Sequence, residues 1–446
     1  MLGALAVIVV VFAAFATSRM FPARSYGLAD DWRVFYGAAV VVQHGGSPYD
    51  PALIHAAEQT ADTYPAVQPS LDDFANLPLV AWILQPMTVL PFWTSYALSG
   101  LLGLLAAGVA LRAWLRRWGW RCTVRWSAFA LLSWPALLGV FSGQFDLLLL
   151  AALIGAMALA LRRHPAAAGA LCMSAALVKP HILWPLPLLI AASQYPDRRA
   201  AWHCVVAAAT TVMACVLGGE LLMPGATRAF VGHLFSFASR IGTTQPDLSG
   251  LPGMFEHLPG GGVAGVVVTL AGAATTVGFA LFWMISRRAQ ALPSTTRVAL
   301  GVGLGMAIWL VATPYAHPND DVLLFPLLAL VLGADAGTMR QRDVGWALVV
   351  CLGLIAAFLL WAPSGIAFGL AAAAVMLHGG GDHAYSQLAA CSLVGMAILP
   401  MVWPFHTLVF SLTPLAVLAV AAAGVGLLRR LLGVRTQSFL AYAAAG

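Results

Sequence analysis

The sequence predicts an all-α, polytopic integral membrane protein. Three observations point there. Hydrophobic residues make up 61% of the 446 residues and charged ones only 9%. Apolar runs of about 15 to 25 residues, the length a helix needs to cross hydrocarbon with its backbone satisfied internally, recur from end to end. Short links rich in arginine separate those runs, and no soluble domain fits the pattern.

Candidate spans cover residues 3–19, 95–111, 127–142, 145–161, 166–193, 204–222, 263–285, 298–315, 321–334, 343–361, 363–377, 385–403 and 407–428. Roughly 11 to 14 crossings are expected. The first run carries Ala13-Ala14-Phe15-Ala16-Thr17, which looks like a signal-peptide cleavage region. With no basic flank and a dozen spans behind it, it is expected to stay as a helix. Residues 77–92 are interrupted by Pro78, Pro86 and Pro91, and proline stops or kinks a helix. This segment is expected to be re-entrant or half-depth. The whole chain, 1–446, reads as one membrane domain with outer loops at 20–76 and 223–262 and C-terminal scaffold helices at 340–446.

Orientation follows from the arginines. Arg112, Arg116, Arg117, Arg121, Arg125, Arg162, Arg163, Arg198, Arg199, Arg287, Arg288, Arg297, Arg340, Arg342, Arg429, Arg430 and Arg435 sit in links, which the positive-inside rule makes cytoplasmic. Arg19 and Arg24 depart from it. The net charge of +6 reflects this orientation and needs no nucleic-acid partner. The six cysteines lie in or beside apolar runs without Cys-x-x-Cys spacing, so neither a disulfide framework nor a zinc site is expected.

The loop at 20–76 is unlike the rest, holding 7 of the 17 acidic residues. Carboxylates beside a membrane helix are costly unless they meet water and serve a purpose. Asp30-Asp31 is followed by Trp32, Phe35 and Tyr36, a spacing that would dock a short helix on the membrane surface through its aromatic face. A carboxylate at that boundary suits a general base for a hydroxyl. Lys179-Pro180-His181 holds the chain's single lysine between two apolar half-segments. A lone cation at that depth calls for an anionic partner such as a phosphate. The knot Pro314-Tyr315-Ala316-His317-Pro318-Asn319-Asp320-Asp321 offers a histidine for a phosphate oxygen or sugar hydroxyl and aspartates that cap the next helix. Gly143-Gln144-Phe145-Asp146 is a turn whose amide and carboxylate suit sugar hydroxyls. The acidic pairs Asp30-Asp31, Asp72-Asp73 and Asp320-Asp321 raise a divalent cation as an alternative, but their spacing does not demand one. No metal ligand is assigned.

In this order the motifs resemble the polyprenyl-phosphate-dependent membrane glycosyltransferases of the GT-C class, above all glycosyltransferase family 87. That family includes actinobacterial mannosyltransferases and an arabinofuranosyltransferase of the cell envelope. The residues that carry the resemblance are Asp31-Trp32-Arg33-Val34-Phe35-Tyr36-Gly37-Ala38-Ala39, Gly46-Ser47-Pro48-Tyr49-Asp50, Asn76-Leu77-Pro78-Leu79, Gly143-Gln144, Lys179-Pro180 and Thr313-Pro314. Departures are Leu77, where the family often has a second proline, and Asp146, near which it has asparagine.

The resemblance implies a GT-C-like bundle with its active site on the outer face of a multi-pass cell-membrane protein. It also implies a polyprenyl-phosphate-linked sugar donor, mannose before arabinofuranose or glucose, and a glycolipid or glycan acceptor. Asp31 would be the base of a single inverting displacement. Lys179, His181 and His317 would hold the donor phosphate, and Asp30, Tyr36, Asn76, Gln144, Asp146, Asn319 and Asp320 would bind sugar or acceptor. No cofactor beyond the lipid-linked donor is implied, nor any partner beyond donor, acceptor and membrane lipids around a monomer. The alternative from another class is a transporter or lipid flippase, since proline-broken helices suit alternating access. No two-fold repeat accompanies it.

Overall fold

The computed structural model describes residues 29–61, 74–120, 123–132, 134–240, 250–252 and 261–333, with single positions at 421, 425 and 428. The expected spans at 3–19 and from 343 onward, the pair Asp72-Asp73, and Cys122, Cys351 and Cys391 lie outside the described residues. Every regular element among the described residues is helical.

Two short helices, α1 (Asp30–Gln43) and α2 (Pro51–Ala61), occupy the described part of the polar segment at 20–76. Next come α3 (Pro78–Leu84) and a 3₁₀ turn at Gln85–Val89. Pro78 starts α3 and Pro86 tightens it. Together they extend only about 18 Å at 1.5 Å per residue, short of the roughly 30 Å of hydrocarbon, as a half-depth element requires.

Four described helices are long and apolar enough to cross a membrane: α4 (Phe92–Arg117), α11 (Arg198–Leu222), α13 (Gly261–Ile285) and α15 (Ser294–Ala312). Shorter apolar pieces fill the centre: α5 (Thr123–Leu131), α6 (Trp134–Ser142), α7 (Asp146–Leu161), α8 (Pro165–Val178), α9 (Pro180–Leu183) and α10 (Pro185–Gln194). The amphipathic α12 (Ala226–Arg240) follows α11, and α14 (Arg287–Gln290) follows α13. A 3₁₀ helix at Pro318–Leu324 leads into α16 (Phe325–Gly333). Helix α15 is the buried axis, enclosed from Val298 to Ala312 but for one partly exposed position, while α11 and α13 turn Leu217, Leu221, Val263, Leu270 and Ile285 outward. An apolar outward face is what lipid solvates.

Three expected spans differ from the structure. Residues 127–142 divide into α5 and α6, and 321–334 begins as a 3₁₀ turn before becoming α16. The larger correction concerns 166–193, expected as one crossing. It is a hairpin, α8 rising and α9–α10 returning, because Pro180 and Pro185 break it in the middle. The partners fix the direction of the return. Arg297 Nε at the start of α15 donates to the Ser193 carbonyl at the end of α10 (3.1 Å), and Trp309 Nε1 near the end of α15 donates to the His181 carbonyl (2.8 Å). A hairpin keeps the Arg162-Arg163 and Arg198-Arg199 links at the same end of the molecule; a single crossing would have separated them.

Close packing also sets the hairpin's height. Gly103 of α4 meets Leu147, Gly169 of α8 meets the Cys204 backbone of α11, and Gly272 of α13 meets Ala312. Counting along each helix at 1.5 Å per residue, Asp146, Lys179 and Thr313 lie about 12–16 Å below the far ends of α4, α11 and α13. The tip of the hairpin is therefore a floor recessed below the ends of these three helices.

Candidate active site at the recessed end

Three sequence motifs meet on that floor, those of Asp146, Lys179 and Asp320. Lys179 is forced out of helical geometry by the proline after it (φ −130°, ψ 74°). Its Nζ donates to Asp146 Oδ1 at 2.8 Å and to Asp320 Oδ1 at 2.7 Å. Both carboxylates are fully buried and the lysine is 5% exposed. The Asn319 amide donates to the other oxygen of Asp146 at 2.5 Å, and the His317 backbone N–H donates to Asp320 Oδ2 at 2.9 Å. Asp320 and His317 thus form a capping box at the start of the 3₁₀ helix. With an ammonium and a second donor on each carboxylate, this buried network meets the condition under which charge is tolerated in low dielectric.

The expectation of an ammonium left unpaired until a phosphate arrives is corrected by these bonds. Its anionic partners are two carboxylates that turn inward. Asp146 likewise does not project outward from its turn; its desolvation beside Asp320 is offset by the lysine that the two carboxylates share. Asp321, next to this network, is 1% exposed, and neither of its oxygens has a hydrogen-bond partner among the described residues. Sequence reading took it for a cap and gave no sign of its burial.

Beside the ion network stands a column of rings. His181 lies 5.4 Å from Tyr315, which lies 4.9 Å from His317, both pairs edge to face. The Nε2 of His181 is buried without a hydrogen-bond partner among the described residues. A buried polar nitrogen in this state costs free energy unless something binds it. Trp309 and Thr313 hold the His181 backbone carbonyl, at 2.8 and 3.4 Å, so the ring is carried on a fixed support.

Helix α1 sits above the same turn. The Ala29 N–H donates to the Phe141 carbonyl at 2.7 Å. Gly143 takes a left-handed φ of +80°, and a Cβ there would come within 2.4 Å of Trp32 Cβ, so only glycine permits this approach. Trp32 also meets Phe145 edge-on at 6.0 Å and donates to Ser95 Oγ at 3.0 Å. Asp30 and Asp31 occupy the first turn, where a helix N-terminus favours negative charge. Asp30 pairs with the buried Arg33 at 3.1 Å, and Asp31 is half-buried.

The aromatic face of α1, expected on the membrane surface, is turned into the protein. Trp32, Phe35 and Tyr36 pack among Phe74, Phe92 and Phe145, leaving 1%, 5% and 9% exposed. The Tyr36 hydroxyl donates to the Leu90 carbonyl at 3.0 Å, holding the end of the half-depth segment. The Asn76 amide donates to the Val178 carbonyl at 2.5 Å, one residue before Lys179. Gln144 is half-buried on the turn below α1. Helix α12 closes on the segment of α1 and α2: Tyr49 packs against Phe230 at 5.9 Å and His233 at 5.4 Å. Burial also raises the Tyr49 phenol well above its ordinary range.

A helical membrane bundle with a recessed polar site at one end is the class these features define. The sequence matches the model of glycosyltransferase family 87 over residues 74–314, more than half of the chain, and the chain belongs to that family. It is a membrane glycosyltransferase. No curated protein matches the sequence. The matched stretch includes Asn76, Gln144, Asp146, Lys179 and His181, and leaves Asp30, Asp31, Tyr36, His317, Asn319 and Asp320 outside it.

Proposed function

We propose that this protein transfers a sugar from a polyprenyl-phosphate donor to a hydroxyl of an envelope glycolipid or glycan, at the outer face of the membrane. The observation that carries the proposal is the family match over the recessed floor, with the half-buried carboxylate of Asp31 over the same turn. The arginine links gathered at the opposite end support an outward-facing recess. Mannose is the sugar the resemblance favours.

In this reading the lipid tail stays in the bilayer and the phosphate descends to the ring column. His181 offers it a buried nitrogen that has no partner among the described residues, and His317 lies two ring contacts away. Asp31 takes the proton of the acceptor hydroxyl as its oxygen attacks the anomeric carbon. The bond to the phosphate oxygen breaks on the opposite side, so the configuration inverts. Charge accumulating on the leaving phosphate is stabilised by the histidine donors in a water-poor site. Lys179 acts through Asp146 and Asp320, holding the two motifs that carry His181 and His317 against each other.

The test is transfer by the purified full chain in nanodiscs, with polyprenyl-phosphate mannose as donor and an envelope glycolipid extract as acceptor. A radiolabelled product with inverted anomeric configuration is expected. Transfer from a nucleotide sugar but not from the lipid donor would overturn the donor assignment. Movement of the intact lipid-linked sugar between leaflets without transfer would favour the flippase reading.

A further inference from the structure

The proline that stops α8 leaves a carbonyl without its helical donor. In a continuous helix the Ile182 N–H would serve Val178; here Ile182 and Leu183 both donate to the Lys179 carbonyl, at 3.2 and 3.0 Å. The Asn76 side chain takes the vacant place, reaching Val178 from 102 residues away in the chain. The atom facing that carbonyl must be the amide nitrogen, since the side-chain oxygen would oppose another acceptor. The backbone carbonyl of Asn76 in turn accepts the Tyr49 hydroxyl at 2.7 Å. Tyr49 also lies against Phe74 (5.9 Å) and against Phe230 and His233 of α12. The two outer loops therefore meet at Tyr49, Tyr49 holds Asn76, and Asn76 grips the backbone of the turn that presents Lys179 and His181.

We infer that Asn76, backed by Tyr49, is a positioning residue that fixes the Lys179–His181 turn and so couples the packing of the two outer loops to the placement of His181. The inference rests on the glycosyl-transfer reading for its catalytic consequence and on the hydrogen bonds alone for its structural one. It gives Asn76 a role other than sugar contact. Losing this donor leaves the Val178 carbonyl unserved and loosens the entry to the turn without removing any apolar packing, while Trp309 and Thr313 still hold its far side at His181.

The experiment compares Asn76→Ala, Asn76→Asp and Asn76→Gln in the full chain in nanodiscs, with two readouts. Amide hydrogen exchange over residues 176–184 should rise about tenfold in the Ala and Asp variants, return toward wild type in the Gln variant, and leave residues 298–310 unchanged. With polyprenyl-phosphate mannose as probe donor, kcat should fall about tenfold or more while KM for the donor stays within about threefold. Unchanged exchange over 176–184 in Asn76→Ala would overturn the inference, as would a rise spread equally over 298–310. A raised KM with kcat intact would also overturn it and return Asn76 to direct substrate contact. If the wild type transfers nothing from the probe, the donor assignment fails while the exchange result still decides the role of Asn76.

Discussion

The floor and the rim of the recess are both polar, yet they are built on opposite principles. On the floor, Lys179, Asp146, Asp320 and Asn319 satisfy one another, and almost no surface is left to water. At the rim, α1 turns its apolar face inward and keeps Asp31 half-buried on a helix N-terminus. Charges that neutralise each other hold a shape; a carboxylate with access to water can exchange a proton. In a chain with few charged residues, framework ends and chemistry begins where a carboxylate gains access to water.

The largest effect is expected at the floor. Lys179→Met leaves two buried carboxylates without their cation, and breaking a buried pair costs about 3–5 kcal/mol. Thermal unfolding in detergent should show a strongly destabilised or unfolded protein. Adding Asp146→Asn and Asp320→Asn should recover most of the loss. A lone Lys179→Met variant as stable as wild type would mean that the ion network contributes little.

At the rim, Asp31→Asn should leave the melting temperature unchanged and reduce transfer by about 100- to 10,000-fold, the usual contribution of a general base. The amide keeps the size of the carboxylate and loses its capacity for a proton. Wild-type turnover by this variant would move the base elsewhere, Asp30 being the first alternative.

Between the two regions lies the Gly143 turn. Gly143→Ala combines left-handed backbone strain with a collision against Trp32, and about 1–3 kcal/mol of destabilisation is expected. Its activity should fall more than its stability does, since the turn joins Asp146 to the seat of α1. The smallest effect belongs to Tyr36→Phe, which removes one hydrogen bond to the Leu90 carbonyl and should cost about 1 kcal/mol. Donor and acceptor KM should not change; a raised acceptor KM would restore Tyr36 to the substrate.

Much of this was legible in the sequence. Hydrophobic run lengths marked α4, α7, α11, α13 and α15, and the proline spacing marked the half-depth segment and the break at Lys179. The polar motifs that meet on the floor were each visible, because lone charges and prolines stand out in an apolar chain. What the sequence did not reveal was their pairing. Asp146 and Asp320 flank one ammonium from 33 and 141 residues away, and no local pattern encodes such a contact. Nor does the aromatic spacing of α1 distinguish a membrane surface from a protein surface, since both reward the same face. The hairpin at 166–193 could have been read from the two arginine links alone, which one crossing would have placed on opposite sides.

The central claim is that the charge of Lys179 is used within the protein and that the donor phosphate rests on the ring column beside it. The most direct measurement is the affinity of the folded triple variant Lys179→Met, Asp146→Asn, Asp320→Asn for a polyprenyl phosphate in nanodiscs, beside wild type and His181→Ala. Affinity within about threefold of wild type is expected for the triple variant and a loss of about tenfold or more for His181→Ala, a hydrogen bond to a charged group being worth roughly 1.5–3 kcal/mol. The opposite pattern, with binding lost in the triple variant and kept in His181→Ala, would contradict it.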